Sequence, residues 1–133
     1  GLRRGLAEAR KMIETAVSQR ENDGYIVDSL GWVLFRLGEF KEALVHMERA
    51  VELRPVDPVI NDHYGDVLWV NGRKIEAEFQ WRRALSFEPE EDEIVRIKRK
   101  LEVGLDVVLD EEAAAGNPAI LGTVEPQTED NGG

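Results

Sequence analysis

The sequence repeats itself with a period of 34 residues. When the chain is aligned with itself at this offset, at least seven identical pairs fall into a single register, which chance matching rarely produces. They include Gly31 and Gly65, Leu34 and Leu68, Gly38 and Gly72, Glu42 and Glu76, Ala43 and Ala77, Ala50 and Ala84, and Pro55 and Pro89. A repeat of this length folds as a unit of secondary structure that buries its apolar face against its neighbours. The sequence therefore predicts a stack of repeated units.

Each unit is predicted to contain two helices. In the first unit, apolar residues recur at helical spacing in two stripes: Ile26, Val27, Leu30, Leu34 and Leu37, and then Phe40, Ala43, Leu44, Met47, Ala50 and Val51. Gly38 lies between the stripes, and Gly72 holds the same place in the next unit, where a helix C-terminus favours a left-handed residue. Asp57 and Pro58 are typical of a helix N-cap and first helical residue.

Gly31 and Gly65 lie inside predicted helices, where glycine costs roughly 1 kcal/mol relative to alanine. The same costly residue at the same place in both units predicts a close approach of the paired helix. The small residues expected opposite are Ala43 and Ala77.

The spacing of small and large residues in VDSLGWVL, ALVHMERAVELRP, NDHYGDVL and AEFQWRRALSFEP resembles the tetratricopeptide repeat. The resemblance implies an all-α fold, an α–α superhelix of antiparallel helix pairs. Val27 and Asn61 depart from it, because each replaces the large residue that usually opens the motif. The style of DSLGW and DPVINDH is similar to C-terminal repeats of bacterial members, so we expect a C-terminal fragment of a longer bacterial protein.

The register divides the chain into five segments. Residues 1–23 are expected to form the second helix of a truncated upstream repeat, 24–57 and 58–91 two full repeats, 92–112 a capping helix, and 113–133 a mobile acidic tail. Continued into the fourth segment, 92–112, the register places Arg99 and Glu111 where glycine and alanine are expected, so that segment is predicted to cap the stack. Gly104 is expected to kink or loosen it, and Arg96, Lys98, Arg99 and Lys100 are expected to face water.

The composition argues against several kinds of chemistry. The net charge of −10 disfavours nucleic acid as a partner, and the chain has no cysteine and no apolar run long enough to span a bilayer. His46 and His63 are the only histidines; His46 is interpreted as a solvated surface residue, and His63 with Asp62 and Asp66 on a single helix would make only a weak metal site. We therefore predict no enzyme activity, no metal and no cofactor. The basic residues around Arg82 and Arg99 are interpreted as a solvated, salt-bridged face; a docking patch for an acidic partner or RNA is the alternative.

The resemblance also implies where a partner binds. In this family the concave groove is lined by the first helix of each repeat, and the carried-over positions that we predict as the site are Tyr25, Asp28, Trp32, Phe35, Arg36, Asp62, Asp66 and Trp69. Aromatic residues ringed by carboxylates predict a ligand segment with apolar anchors and basic residues. Relatives that hold the carboxylate terminus of heat-shock chaperones use lysine and asparagine at the places of Asp28 and Trp32, so that activity is not expected.

The leading hypothesis is therefore a protein–protein adaptor that binds a peptide or helix segment in an acidic, aromatic groove. The alternative is an architectural role as the C-terminal cap of a longer solenoid, with self-association through the exposed apolar side of the first helix (Leu6, Ile13 and Val17). The sequence does not distinguish cytoplasm from bacterial periplasm.

Overall fold

The computed structural model describes residues 1–121 of the chain and, over this range, consists of helices without strands. The helices are α1 (Leu2–Gln19), α2 (Gly24–Arg36), α3 (Phe40–Leu53), α4 (Pro58–Val70), α5 (Lys74–Ser86), α6 (Glu91–Val103) and α7 (Leu105–Ala114). The all-α prediction is confirmed.

The helices pack in the order of the sequence, as expected for a solenoid. The closest pairs are α2 with α3 and α4 with α5, each joined by a short turn that sends the chain back along itself. α1 packs on α2 and α3 packs on α4, while α6 packs on both α5 and α7. The helical solenoid is thus built from adjacent pairs, with α2 and α4 as the first helices of the two repeats.

The turns within the two repeats have the same geometry. Gly38 and Gly72 have φ angles of 81° and 84°, in the left-handed region that glycine adopts without strain. The residue after each glycine donates its N–H to a carbonyl five residues earlier, Glu39 to Leu34 at 2.8 Å and Arg73 to Leu68 at 3.0 Å. This is the Schellman pattern, which satisfies carbonyls left unpaired at a helix end.

The starts of the two repeats also match. The carboxylate of Asp57 accepts a hydrogen bond from the N–H of Ile60, and Pro58 is the first helical residue, as the sequence predicts. Asp23 caps α2 in the same way, accepting from Tyr25 and Ile26. Asp23 lies 34 residues before Asp57, so the register also marks it as a cap.

The core consists of two apolar clusters that follow the repeats. The first contains Val27, Leu30, Leu34, Phe35, Ala43, Met47, Ala50, Ile60 and Val67, and the second contains Leu68, Ala77, Trp81, Ala84, Ile97 and Leu105. Gly31 and Gly65 lie where these helices meet. A Cβ added to Gly65 would lie 2.4 Å from Cδ1 of Trp81 and 3.1 Å from the carbonyl oxygen of Ala77. The close approach is present, and large side chains rather than alanine methyls make the nearest contact.

The C-terminal part differs from a single capping helix. Residues 92–112 contain two helices, α6 and α7, which Gly104 separates with φ 90° and ψ 155°. This region of φ/ψ space is accessible essentially to glycine alone. After α7 the chain continues over residues 115–121, and the rest of the predicted tail, 122–133, lies outside the described residues.

Candidate functional site

The eight predicted site residues lie on α2 and α4, and the structure gives them very different environments. Tyr25 is exposed, Trp32, Arg36 and Trp69 are half-buried, and Asp28, Phe35, Asp62 and Asp66 are buried. Phe35 belongs to the first core cluster. The predicted set is therefore partly surface and partly interior.

Asp28 and Trp32 on α2 share one partner on α4, the side chain of His63. Nδ1 of His63 lies 2.9 Å from a carboxylate oxygen of Asp28. The His63 ring also stacks on the indole of Trp32, with 3.9 Å between centroids and 15° between planes. The pair fixes the orientation of Trp32, so a partially exposed aromatic surface is held rigidly between the two repeats.

Burial of the His63 ring disfavours its charged form, but the carboxylates around it outweigh that effect. The hydrogen bond and charge of Asp28, with the charges of Asp62 and Asp66, raise the pKa of His63 above its usual 6.5. The protonated ring is thus favoured by three acidic neighbours.

Asp62 and Asp66 are both held by Lys100, which reaches them from α6. Nζ of Lys100 lies 2.5 Å from an oxygen of each carboxylate, and the lysine side chain is itself buried at 1% exposure. The ammonium also lies 4.9 Å from the centre of the Trp81 ring. Two buried carboxylates are therefore compensated by one buried cation.

Asp66 has two further partners. The Trp81 indole N–H donates to one of its oxygens at 2.9 Å, and Arg96 approaches the other at 3.3 Å. Burial opposes the ionisation of Asp66, but Lys100 and Arg96 lower its pKa below the usual 3.8. Burial raises the pKa of Asp62, which has fewer positive neighbours. The expectation that Arg96 and Lys100 face water is wrong, because both turn towards α4.

The register could have revealed these pairings. An offset of 34 from Asp62 leads to Arg96, and the same offset from Asp66 leads to Lys100. α6 is thus the first helix of a third unit, and it places cations at the groove positions where the second unit has carboxylates. This relation was hidden in the sequence because Arg99 and Glu111 replace the glycine and alanine that mark the first two units.

The third unit departs from the register at its turn. The first two units connect their helices through residues 37–39 and 71–73, whereas α7 begins immediately after Gly104. The Gly104 backbone lies against the Trp69 ring: a Cβ added there would be 3.1 Å from Cζ2 and Cη2. Trp69 also donates its indole N–H to Asp106 of α7 at 3.0 Å. The early turn therefore directs α7 onto a predicted groove residue.

The residues after α7 reach the other end of the concave face, at Arg36. Its guanidinium donates to the carbonyl oxygens of Ala119 at 2.8 Å and Pro118 at 3.3 Å. In return, the N–H of Leu121 donates to the Arg36 carbonyl at 2.7 Å. We call residues 117–121 the strap. Together α7 and the strap run from Trp69 to Arg36.

Tyr25, Trp32 and His63 are named here the aromatic patch. Trp32 stacks on His63, and Tyr25, seven residues before Trp32 on α2, is exposed with Arg54 packed over its ring at 4.1 Å. Over residues 1–121, no group of three or more histidine or acidic side chains is arranged to hold a metal ion. What the arrangement offers is shaped surface and hydrogen bonding.

The family model of the tetratricopeptide repeat matches residues 27–55, which span most of the first repeat. The second repeat follows in the same register with the same caps, turn and packing. This match and the all-helical solenoid both support a tetratricopeptide repeat protein. No curated protein sequence matches it.

Tetratricopeptide repeats are protein–protein interaction modules and are generally not catalytic, so this domain is assigned that general role. Within residues 1–121 none of the helices is long and apolar enough to cross a membrane.

Proposed function

We propose that this tetratricopeptide repeat domain is a non-catalytic adaptor that binds a partner segment on its concave face, with the aromatic patch of Tyr25, Trp32 and His63 as the anchor. The observation that supports this most is the Trp32–His63 stack, which is braced by Asp28 and spans two repeats. An aromatic side chain that is already ordered loses little conformational entropy on binding, and such residues dominate the energetics of interfaces.

The ion pairs of the groove carboxylates change the kind of ligand that the sequence predicts. A basic partner was expected from Asp28, Asp62 and Asp66, but each of these carboxylates already has a cationic or titratable partner: His63, Lys100 and Arg96. A buried, paired carboxylate exerts little net attraction on a further cation. We therefore propose that apolar and aromatic contacts, rather than a negative field, select the segment bound at the aromatic patch.

Selection from a displayed peptide library tests this function. The protein is used to select binding peptides, and the affinity of an enriched peptide is then measured by calorimetry for two variants. Trp32→Ala should weaken binding at least ~30-fold, because truncation of a hot-spot aromatic costs 2 kcal/mol or more.

Phe79→Ala is the matched control, since Phe79 is an aromatic residue on α5 with 57% exposure outside the concave face. It should leave the affinity unchanged. Equal affinities for the wild-type protein and Trp32→Ala would contradict binding at the aromatic patch, and loss of affinity with Phe79→Ala would move the site to α5.

A second candidate function rests on α1. Ile13 and Val17 pack against the first core cluster and do not lie bare as expected, whereas Leu2 and Met12 are each 72% exposed. Exposed apolar side chains on an amphipathic helix favour self-association or stacking on a further repeat. Sedimentation of the wild-type chain against Met12→Glu tests this: a dimer lost in the variant would support it, and a wild-type monomer at high concentration would contradict it.

A further inference from the structure

The strap is recognised at the concave face chiefly through its backbone. Arg36 donates to two strap carbonyls and its own carbonyl accepts from Leu121. The Arg36 carbonyl is at the last residue of α2, where helices leave carbonyls without a partner. These contacts require a non-helical segment at this place but no particular side chain. Ala119 and Ile120 add apolar packing against the first core cluster.

α7 is held on the same face by opposite charges. Arg96 contacts Glu112 at 2.6 Å, and Arg99 contacts Glu111 at 2.7 Å. Lys74 lies 4.8 Å from the centre of the Trp69 ring, beside Asp106 in the lining of one cavity. Residues 105–121 contain four carboxylates and no basic residue. The surface beneath α7 is therefore cationic and aromatic, and an acidic segment complements it.

The fit of α7 and the strap is incomplete. A cavity of about 550 Å³ remains between them and the repeats, lined by Phe40, Trp69, Val70, Leu109 and Ile120, among others. This volume lies in the range of ligand pockets. Two of the lining residues from the C-terminal segment are alanines, Ala113 and Ala119. A segment with larger apolar side chains at these two places would bury more surface on the same contacts.

We infer that residues 105–121 are an intramolecular occupant of the concave face, and that the partner which displaces them is an acidic segment, a short helix followed by a non-helical apolar stretch. This inference rests on the proposed function and adds to it the chemistry of one partner and a competition for the site. A partner of this kind binds between Arg36 and Trp69, next to the aromatic patch. Its apparent affinity is reduced by the fraction of molecules in which the occupant is in place.

The test uses the full chain and a labelled peptide with the sequence of residues 105–121. In a displaced variant, Glu111→Lys, Glu112→Lys and Ile120→Asp weaken the occupant at both ends while every contact residue on α2, α4 and α6 is kept. Fluorescence anisotropy should show at least ~10-fold tighter binding of the peptide to the displaced variant than to the wild-type chain.

Two controls accompany this comparison. A control variant carries Ala114→Lys, Ala115→Lys and Val107→Asp, which place the same residue types at exposed positions of the same segment, and it should bind the peptide as weakly as the wild-type chain does. A peptide with Glu111→Lys and Glu112→Lys should bind the displaced variant at least ~10-fold more weakly than the original peptide, because it meets Arg96 and Arg99 with like charge.

Equal binding of the peptide to the wild-type chain and the displaced variant, or no binding to either, would overturn the inference, and so would equal binding of the charge-reversed peptide. Circular dichroism shows whether the displaced variant keeps its helices; if it does not, Ile120→Ser alone replaces it in the same comparison. The proposed function is tested separately through Trp32. If Trp32→Ala loses affinity for library-selected peptides while the 105–121 peptide binds the wild-type chain and the displaced variant equally, the adaptor function is supported and the intramolecular occupant is rejected.

Discussion

Lys100 is the main counter-charge for the buried carboxylates of α4, because its ammonium contacts both Asp62 and Asp66. Lys100→Met keeps most of the side-chain volume and removes the charge. It leaves two buried carboxylates without their main partner, which should lower the free energy of unfolding by about 3–5 kcal/mol, as when other buried ion pairs are broken. Urea denaturation at neutral pH measures this change.

Lys98→Met is the control, because Lys98 is exposed on the same helix. Its effect should stay within about 0.5 kcal/mol. If the two variants were equally stable, the buried triad would contribute little and α6 would be held by its apolar contacts alone.

His63 gives stability a dependence on pH with a definite sign. Its pKa is raised above 6.5 in the folded chain by Asp28, Asp62 and Asp66, despite the opposing effect of burial. The folded chain therefore binds this proton more tightly than the unfolded chain. The stabilisation is complete below the unfolded pKa of about 6.5 and is lost as the pH rises through the folded value. His63→Gln should remove this decline in denaturation curves recorded from mildly acidic to mildly alkaline pH.

His46 provides a contrast, since burial lowers its pKa below 6.5. The unfolded chain binds the His46 proton more tightly, so that contribution to stability increases with pH. His46→Gln should make the decline due to His63 steeper. An unchanged slope in His63→Gln would show that the ring does not titrate against Asp28.

Gly104 determines how the third unit differs from the first two. Its φ of 90° with ψ of 155° is a conformation that costs an L-residue about 1–3 kcal/mol, and a Cβ would also meet the Trp69 ring at 3.1 Å. Gly104→Ala should therefore destabilise α7 and weaken its contact with Trp69. Hydrogen exchange of the α7 amides measures the effect.

Gly116→Ala separates backbone strain from the ring contact. Gly116 has a similar φ of 86° with no atom within 4 Å of an added Cβ, so it should cost only the strain, about 1–2 kcal/mol. If Gly104→Ala were no more disruptive than Gly116→Ala, the approach of Trp69 would not be what orients α7.

An element is predictable from sequence when the residues that determine its conformation lie within it. The turns at Gly38 and Gly72 and the cap at Asp57 were predictable, because the glycine or aspartate at each position itself favours the local conformation. The inward turn of Lys100 was harder to predict: its charged run gives no sign of it, and only the 34-residue offset from Asp66 does. The direction of α7 depends on a single pair of dihedral angles at Gly104, which composition does not specify.

The predicted site shows the same limit. The resemblance predicts the helices and positions that would line a concave face, and Trp32, Trp69 and Arg36 have partly accessible side chains. It could not show that Asp28, Asp62 and Asp66 are neutralised, because their partners come from other helices. Whether a residue in a repeat is surface or interior depends on what the next unit places against it.

Taken as one molecule, the described chain is a short helical solenoid, with Trp32 and His63 stacked between its two repeats and its own C-terminal segment in contact with Arg36 and Trp69. A partner segment that binds as proposed contacts the aromatic patch and leaves the interior undisturbed. The three tryptophans report on both regions, since Trp32 and Trp69 lie half-buried on the face while Trp81 is fully buried and bonded to Asp66.

The most direct measurement is therefore a two-dimensional nitrogen–proton NMR spectrum of the chain, in which the indole N–H signals are followed as a library-selected peptide is added. We expect the Trp32 signal to shift most, the Trp69 signal to shift if α7 is displaced, and the Trp81 signal to stay in place. A Trp32 signal that does not move while amides of α1, α3 or α5 shift would contradict binding on the concave face.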